Sequence, residues 1–451
     1  MSKDSDIRPV EIDFEYRSFR LRTPLKFGSV VVEESTSLLV TTVVKNRNGE
    51  KAEGLGSMPL ACEWAFPSHV ESHENKLEAM KLVAERYGKL LVEEAGNRYM
   101  HPIDWFVKYE DEIARITRRV SSELRLKEEL PILASLVAVS PIDASMHDGF
   151  GKVNKICSYD GYGPKYVDHD LSFYLGERFK GKYIADYIKP EYSSEIPVFH
   201  LVGGLDKLRS EEDPDESDGL PASLEEWIEK EGVFCFKIKL KGSDVEWDVK
   251  RTKDVAETVA ETLGKKGVRN FYLSVDSNEM HPSPEAVLEY LLKTRKAAPE
   301  AFEKILYVEQ PVSRDLASHM FNMRKVAEVK PVLADESVTG LESFDLAMRL
   351  GWSGVALKTC KCHSSILLLV SKAEELGVPY SIQDLTCPGL SLVHSAGFAA
   401  RTNPILGVEY NARQYLPSAF KEVQERFPEI FEVRQGKIRT GCLNQTIGLG
   451  F

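Results

Sequence analysis

From residue 195 onward, short aliphatic and β-branched runs recur at intervals of about one strand plus one helix, and this recurrence constrains the fold more than any other feature. The runs are "EIPVFHLVGG", "FCFKIKL", "FYLSVDSN", "ILYVEQP", "PVLADES", "GVALKTC", "PYSIQDL" and "ILGVEYN", and a helical pattern follows each. Eight such runs within about 215 residues predict a (β/α) barrel whose strands are covered on both faces. An open doubly wound sheet is the competing arrangement. It usually has fewer strands and a glycine-rich phosphate loop after the first, to which "LVGGL" is a weak match.

One charged residue stands at the C-terminal end of each run from the second onward: Lys239, Asp276, Glu309, Asp335, Lys358, Asp384 and Glu409. Each lies one βα unit beyond the last, so a barrel brings them to the mouth where active sites of this fold sit. Asp276, Glu309 and Asp335 fall on three consecutive strands. An all-oxygen set suits Mg²⁺ better than zinc, and a divalent ion relieves the mutual repulsion of three carboxylates. The alternative is that these carboxylates merely pair with the lysines. In "FKIKLKG", strand parity puts Lys237, Lys239 and Lys241 on one face and Phe236, Ile238 and Leu240 on the other. Lys237 and Lys239 arrive from the second strand and Lys358 from the sixth, approaching a bound molecule from opposite sides. A nearby dication and a second ammonium are expected to bring a lysine's pKa down toward the working range. Lys241 is expected at the surface, and Lys361 as a structural or solvated lysine. Two acid/base groups facing across a metal suggest removal of the proton α to a carboxylate, with the ion stabilising the enediolate.

Before the barrel, "VEIDFEYRSFRL" and "STSLLVTTVVKN" read as strands joined onward by a turn at "NRNGE", followed by helices over about 72–126 and from about 131. The expected organisation is an α+β capping domain over 1–140, a barrel over 141–430, and a C-terminal segment, 431–451, returning to the cap. The formal charge of −12 disfavours nucleic acid, and the longest aliphatic run, "ILLLV", is far short of a membrane span. Seven scattered cysteines and the absence of an apolar leader in "MSKDSDIRPV" predict reduced thiols and a cytoplasmic location. The acidic stretch "SEEDPDESDG" (210–219) reads as a solvated insertion.

In this order and at these intervals, "KIK", "VDSN", "VEQP", "ADES" and "ALKTCKC" resemble the enolase superfamily. The match is to the branch that contains muconate lactonizing enzymes, succinylbenzoate synthases and dipeptide epimerases. The resemblance implies a modified barrel, (β/α)7β, under an N-terminal α+β capping domain completed by C-terminal strands. It implies one Mg²⁺ per site, for which Mn²⁺ can substitute, held by Asp276, Glu309 and Asp335. Lys239 and Lys358 would be the acid/base pair, with Lys237 a neighbour that holds the substrate carboxylate and tunes Lys239. A small-molecule carboxylate substrate and a symmetric homo-oligomer are further implications. The seventh run, "SIQDLTCPG", lacks the His that the mandelate racemase enzymes themselves carry there. On the eighth strand the dipeptide epimerases carry Asp-x-Asp, whereas this chain has Glu409 and Asn411 in "GVEYNAR". Glu409 and Asp384 are therefore open between an amine-binding and a structural role. "RTPLKFGS" and "KAEGLGSMPL" resemble the two loops that close over the substrate, making Lys26 and Phe27 candidate contacts and Trp64 a packing residue. The leading expectation is epimerisation or racemisation of an amino-acid or dipeptide-like carboxylate. Cycloisomerisation or β-elimination through the same half-reaction is the alternative, and a non-catalytic binding protein on the same scaffold is the third.

Overall fold

The structure, a computed structural model, describes residues 3–28, 30–210 and 218–451. Three antiparallel strands open the chain: β1 (Ile7–Phe27), β2 (Val30–Asn46) and β3 (Lys51–Pro59), paired in that order. The turn at "NRNGE" forms because the Asn46 side-chain oxygen accepts from the Glu50 amide at 3.0 Å, and Gly49 takes φ +87°, open to glycine without a Cβ clash. Along β2, Leu38, Val40, Thr42 and Val44 are buried at every second position, so one face of the sheet is covered.

That face meets the helix Ile132–Asn154. Thr42 Oγ1 lies 2.6 Å from Ser145 Oγ, and a Cβ on Gly54 or Gly56 of β3 would fall about 2 Å from a carbonyl oxygen of this helix. Glycine is thus required for so close an approach. Two helices pack alongside, His73–Ala95 and Pro102–Glu123, capped by Ser72 and His101. The break between them falls at Gly96 and at the proline that begins the second. The helix Ile132–Asn154 runs unbroken across residue 140, where the sequence places the seam between cap and barrel.

Eight parallel strands form the barrel: β4 (Glu195–Val202), β5 (Cys235–Lys239), β6 (Tyr272–Asp276), β7 (Ile305–Glu309), β8 (Val332–Ala334), β9 (Gly354–Lys358), β10 (Tyr380–Gln383) and β11 (Val408–Glu409). They neighbour one another in sequence order, and Val408 of β11 pairs with Val198 of β4 to close the ring. Helical segments fill all seven crossovers, from Leu224–Glu231 to Leu390–Arg401. The expected (β/α)7β barrel under an antiparallel cap is the fold.

The C-terminal segment forms one strand and then runs to the helix Ile132–Asn154. Its strand β12 (Lys437–Arg439) does not join the cap sheet but pairs antiparallel with β4, Ile438 opposite Ile196. The N-terminal half of β4 extends beyond its barrel neighbours and leaves an edge that β12 covers. Only the last residues reach the cap's central helix, where the Leu449 amide donates to Asp148 Oδ1 at 2.9 Å. Residues 211–217 of the acidic stretch lie outside the described residues; Asp218, at its end, pairs with Arg22 of β1. Among the described residues, no helix is long and apolar enough to cross a membrane.

Polar side chains also pin cap to barrel. The Tyr162 hydroxyl joins His147 Nδ1 (2.8 Å) to His363 Nε2 (3.0 Å), and His147 Nε2 meets Ser364 Oγ at 2.7 Å. Burial holds these imidazoles neutral: His147 and His363 are pushed well below the ordinary value, and His101 to about 3. A depressed folded-state pKa gives stability that is complete above the unfolded value of about 6.5 and lost as pH falls. His101→Asn keeps a capping side chain but does not titrate. Urea unfolding at pH 7 and pH 5 should therefore show the stability advantage of the parent over this variant shrinking by about 2 kcal/mol at the lower pH. An unchanged difference would mean that His101 is not held neutral.

Candidate functional site

Strand β5 is buried on both faces, Phe236 and Ile238 toward the helices and Lys237 and Lys239 toward the barrel axis; the two lysines are 2% and 8% exposed. Strand register sets their neighbours. Lys239 pairs laterally with Asp276, and Asp276 with Glu309, so three strand ends present their charges side by side. β9 stands four places from β5 in a ring of eight, which puts Lys358 across the mouth from Lys239.

The ammonium groups lie among the carboxylates. Lys237 Nζ donates to Glu309 Oε1 at 2.7 Å and Glu409 Oε2 at 3.0 Å, and lies 3.1 Å from Asp276 Oδ2. Lys239 Nζ donates to Asp276 Oδ2 (2.6 Å) and Asn278 Oδ1 (2.9 Å). Lys358 donates to Asp335 Oδ2, and Lys361 to Asp335 Oδ1 at 3.0 Å. Lys361 is thus structural but wholly desolvated, whereas Lys241 stays at the surface, its ammonium 4.5 Å above the Trp247 ring.

Charge is not balanced in this enclosure. Six buried carboxyl groups (Asp276, Glu309, Asp335, Glu336, Asp384, Glu409) face four buried ammonium groups (Lys237, Lys239, Lys358, Lys361). Burial first, and neighbouring acids second, raise several of these carboxyl groups. Burial raises Glu309 to about 8, with Asp276 and Asp335 adding to the shift against the pull of Lys237 and Lys358. Burial raises Glu336 and Asp384 to about 7, reinforced by Asp335 and Glu409 respectively. Burial acts on Asp276 too, but Lys239 and Lys237 overcome it and hold that acid at about 2; Lys358 and Lys361 likewise hold Asp335 below the usual range. The same contacts act on the lysines in reverse. Desolvation alone would depress Lys358 and Lys237, yet their carboxylate partners raise both. In these contacts Lys358 is raised because Asp335 touches its ammonium directly.

Among the described residues, no group of three carboxylate, imidazole or thiol side chains stands arranged around one point, since lysines intervene. The donor chemistry nevertheless fits a hard dication. The candidate ligands supply oxygen only, the buried carboxyl groups outnumber the buried lysines by two, and Glu336 Oε2 is buried without a hydrogen-bond partner.

Above the strand ends lies a cavity of ≈ 790 Å³, partly open to solvent, whose floor includes Lys237, Lys239 and Lys358. Asp384, Glu409 and Asn411 line one side, and Phe27, Leu25 and Leu21 of the β1–β2 hairpin form an apolar wall. Phe27 is where the sequence suggests. Lys26 is not: alternation along β1 turns it to the other face, where its stem lies against Gly204. Trp64, read from sequence as packing, covers Lys358 with its ring 4.9 Å from the ammonium. Gln383 was missed altogether. It is the last residue of β10, registers with Lys358 and donates to Glu309 Oε2 at 2.5 Å. The charged Asp384 drew attention one residue too far along, although the parity of Ser381 and Gln383 marks the inward face. Glu336 and Asn278 also escaped notice because they follow the ends of β8 and β6, where alternation no longer applies.

No curated protein sequence matches the chain. Among solved structures, it resembles a dipeptide epimerase from Enterococcus faecalis complexed with Mg and the dipeptide L-Leu-L-Tyr (17% identity, TM-score 0.61, 99% of each chain covered). It also resembles an N-succinyl Arg/Lys racemase from Bacillus cereus (19%, 0.61, 99% of this chain and 95% of that one). A muconate lactonizing enzyme from Pseudomonas fluorescens complexed with muconolactone is similar too (16%, 0.60, 98% and 96%). At these identities the likeness is one of fold. Residues 219–451 match the family model described as enolase C-terminal domain-like. The chain belongs to that family, in the mandelate racemase and muconate lactonizing enzyme branch of the enolase superfamily.

Proposed function

We propose that the protein moves the proton α to a substrate carboxylate, inverting that carbon in an amino-acid or dipeptide-like molecule. The observation that carries this reading is the placement of Lys239 and Lys358 on strands four apart, with Asp276 and Glu309 at the ends of two of the three strands between them and Asp335 just past the end of the third. Two lysines across one cavity, one as the free amine and the other as the ammonium, can address both faces of a single carbon, which inversion requires. Asp276, Glu309 and Asp335 would hold Mg²⁺, which when bound supplies positive charge to the substrate carboxylate and to the negative charge that develops as the proton leaves.

The side chains divide the remaining work. For inversion, one of Lys239 and Lys358 must release its carboxylate partner and accept the α-proton as the free amine while the other donates as the ammonium, and the reverse direction exchanges their roles. Lys237, bonded to Glu309 and Glu409, holds positive charge beside Lys239 and the substrate carboxylate. At the other side of the cavity Asp384 and Glu409 keep acceptor capacity, and Asn411 Oδ1 is buried without a partner. Acceptors gathered there suit a substrate N–H or ammonium, which favours an amine- or amide-bearing molecule. Leu21, Leu25 and Phe27 of the β1–β2 hairpin give the cavity an apolar wall suited to a hydrophobic part of the substrate.

Two outcomes are expected. Incubated with Mg²⁺ in deuterium oxide, a panel of dipeptides, N-acyl amino acids and sugar acids should yield a substrate that takes up deuterium at the α-carbon without change of bond connectivity. Lys239→Ala should abolish uptake from one epimer and Lys358→Ala from the other. Full uptake in both variants would remove these lysines from the mechanism, and a loss of water or of a double bond would turn the assignment to β-elimination or cycloisomerisation. Separately, Mg²⁺ at a hundredfold excess over its dissociation constant should stabilise the protein by about 2.7 kcal/mol in thermal unfolding. The effect should largely vanish in Glu309→Gln, and identical melting with Mg²⁺ or with a chelator would argue against the ion.

A further inference from the structure

Trp64 enters the site from the cap, on the short helix Cys62–Ala65, and is 6% exposed. Its indole N–H donates to Glu336 Oε1 at 2.8 Å, while its backbone oxygen accepts from Arg314 Nη1 at 3.0 Å. Arg314 is itself held by Glu279, at 2.6 Å. The ring is thus fixed from two directions by barrel groups, with its face over the Lys358 ammonium. The same Glu336 oxygen accepts from Asn278 Nδ2 at 3.0 Å, and Asn278 Oδ1 accepts from Lys239 Nζ at 2.9 Å. Asn278 takes φ +45°, a conformation asparagine tolerates, and its amide donates to Asp276 Oδ1 at 2.8 Å.

We infer that Trp64 is a positioning residue for Lys358, and that its own ring is set by the Glu336 carboxylate, which Asn278 holds from the Lys239 side of the site. The inference rests on the proposed acid/base roles of the two lysines. A tryptophan that merely packed a domain seam would need no carboxylate beneath it, and burying Glu336 beside Asp335 is unfavourable unless its hydrogen bonds are used. The ring offers Lys358 a cation–π face opposite its ion pair, which narrows the positions available to the ammonium. Because Trp64 belongs to the cap, Lys358 is fully placed only when the cap is seated. Lys239 is held by Asn278 and Asp276 and does not touch Trp64, so the two faces of the substrate should respond differently to its loss.

The test compares Trp64→Leu and Trp64→Phe with the parent in two ways. In crystal structures, the Leu variant should show Lys358 Nζ displaced by about 1 Å or more. Deuterium uptake on the face served by Lys358 should then fall by roughly 10²-fold, with far less loss on the face served by Lys239. Trp64→Phe restores an aromatic face without the N–H and should recover part of both effects. An unmoved Lys358 Nζ in Trp64→Leu, or equal losses on the two faces, overturns the inference. Lys358→Ala separates this from the underlying reading: if it spares uptake on both faces, the acid/base assignment fails, while the Nζ position in the Leu variant still decides whether Trp64 places that lysine.

Discussion

Placing four ammonium groups inside a parallel barrel is tolerable only because carboxylates come with them. Lys237 shows the constraint most plainly. It is 2% exposed, on a strand covered on both sides, and it reaches Asp276, Glu309 and Glu409 at once. Removing one partner from such a cluster leaves a buried charge uncompensated, at a cost of about 3–5 kcal/mol. Replacing the whole cluster with well-packed apolar residues is often neutral or stabilising. A charge network of this size is therefore poor evidence for stability as its purpose. The more economical reading is that it serves chemistry, and a dication beside the two carboxyl groups in excess of the lysines would let them ionise.

The barrel was legible in the sequence because its period is long and its punctuation is charged. Asp276 and Glu309 end β6 and β7, and Lys239 and Lys358 end β5 and β9, as the alternating runs predict. Legibility fades past the end of a strand. Asp335, just past β8, is still marked by its charge and its interval in the series, but Glu336 and Lys361 lie further beyond β8 and β9, and whether each faces the mouth depends on turns that carry no period. Gln383 was hidden for a different reason: it is uncharged, and the neighbouring Asp384 is not. In the cap, the parity that admits Phe27 to the cavity turns Lys26 away from it.

Tertiary contacts supplied what the sequence could not. That Trp64 covers Lys358 depends on how β3, which leads to its short helix, lies on the helix Ile132–Asn154, and that contact depends on Gly54 and Gly56 letting two backbones meet. β12 likewise finds its partner at an exposed part of β4, far from it in sequence. The cap is thus no passive cover. Its hairpin walls the cavity, its tryptophan lies on one lysine, and its Phe27 lies 6.0 Å from the other.

The central claim, that Asp276, Glu309 and Asp335 share their enclosure with a dication as well as with lysines, is tested most directly by a crystal grown with Mn²⁺ and measured at the manganese absorption edge. The account predicts one anomalous peak among these three carboxylates, with Lys358 turned from Asp335 toward the cavity. A map without that peak, with Lys237 and Lys358 still bonded to the same acids, would contradict it.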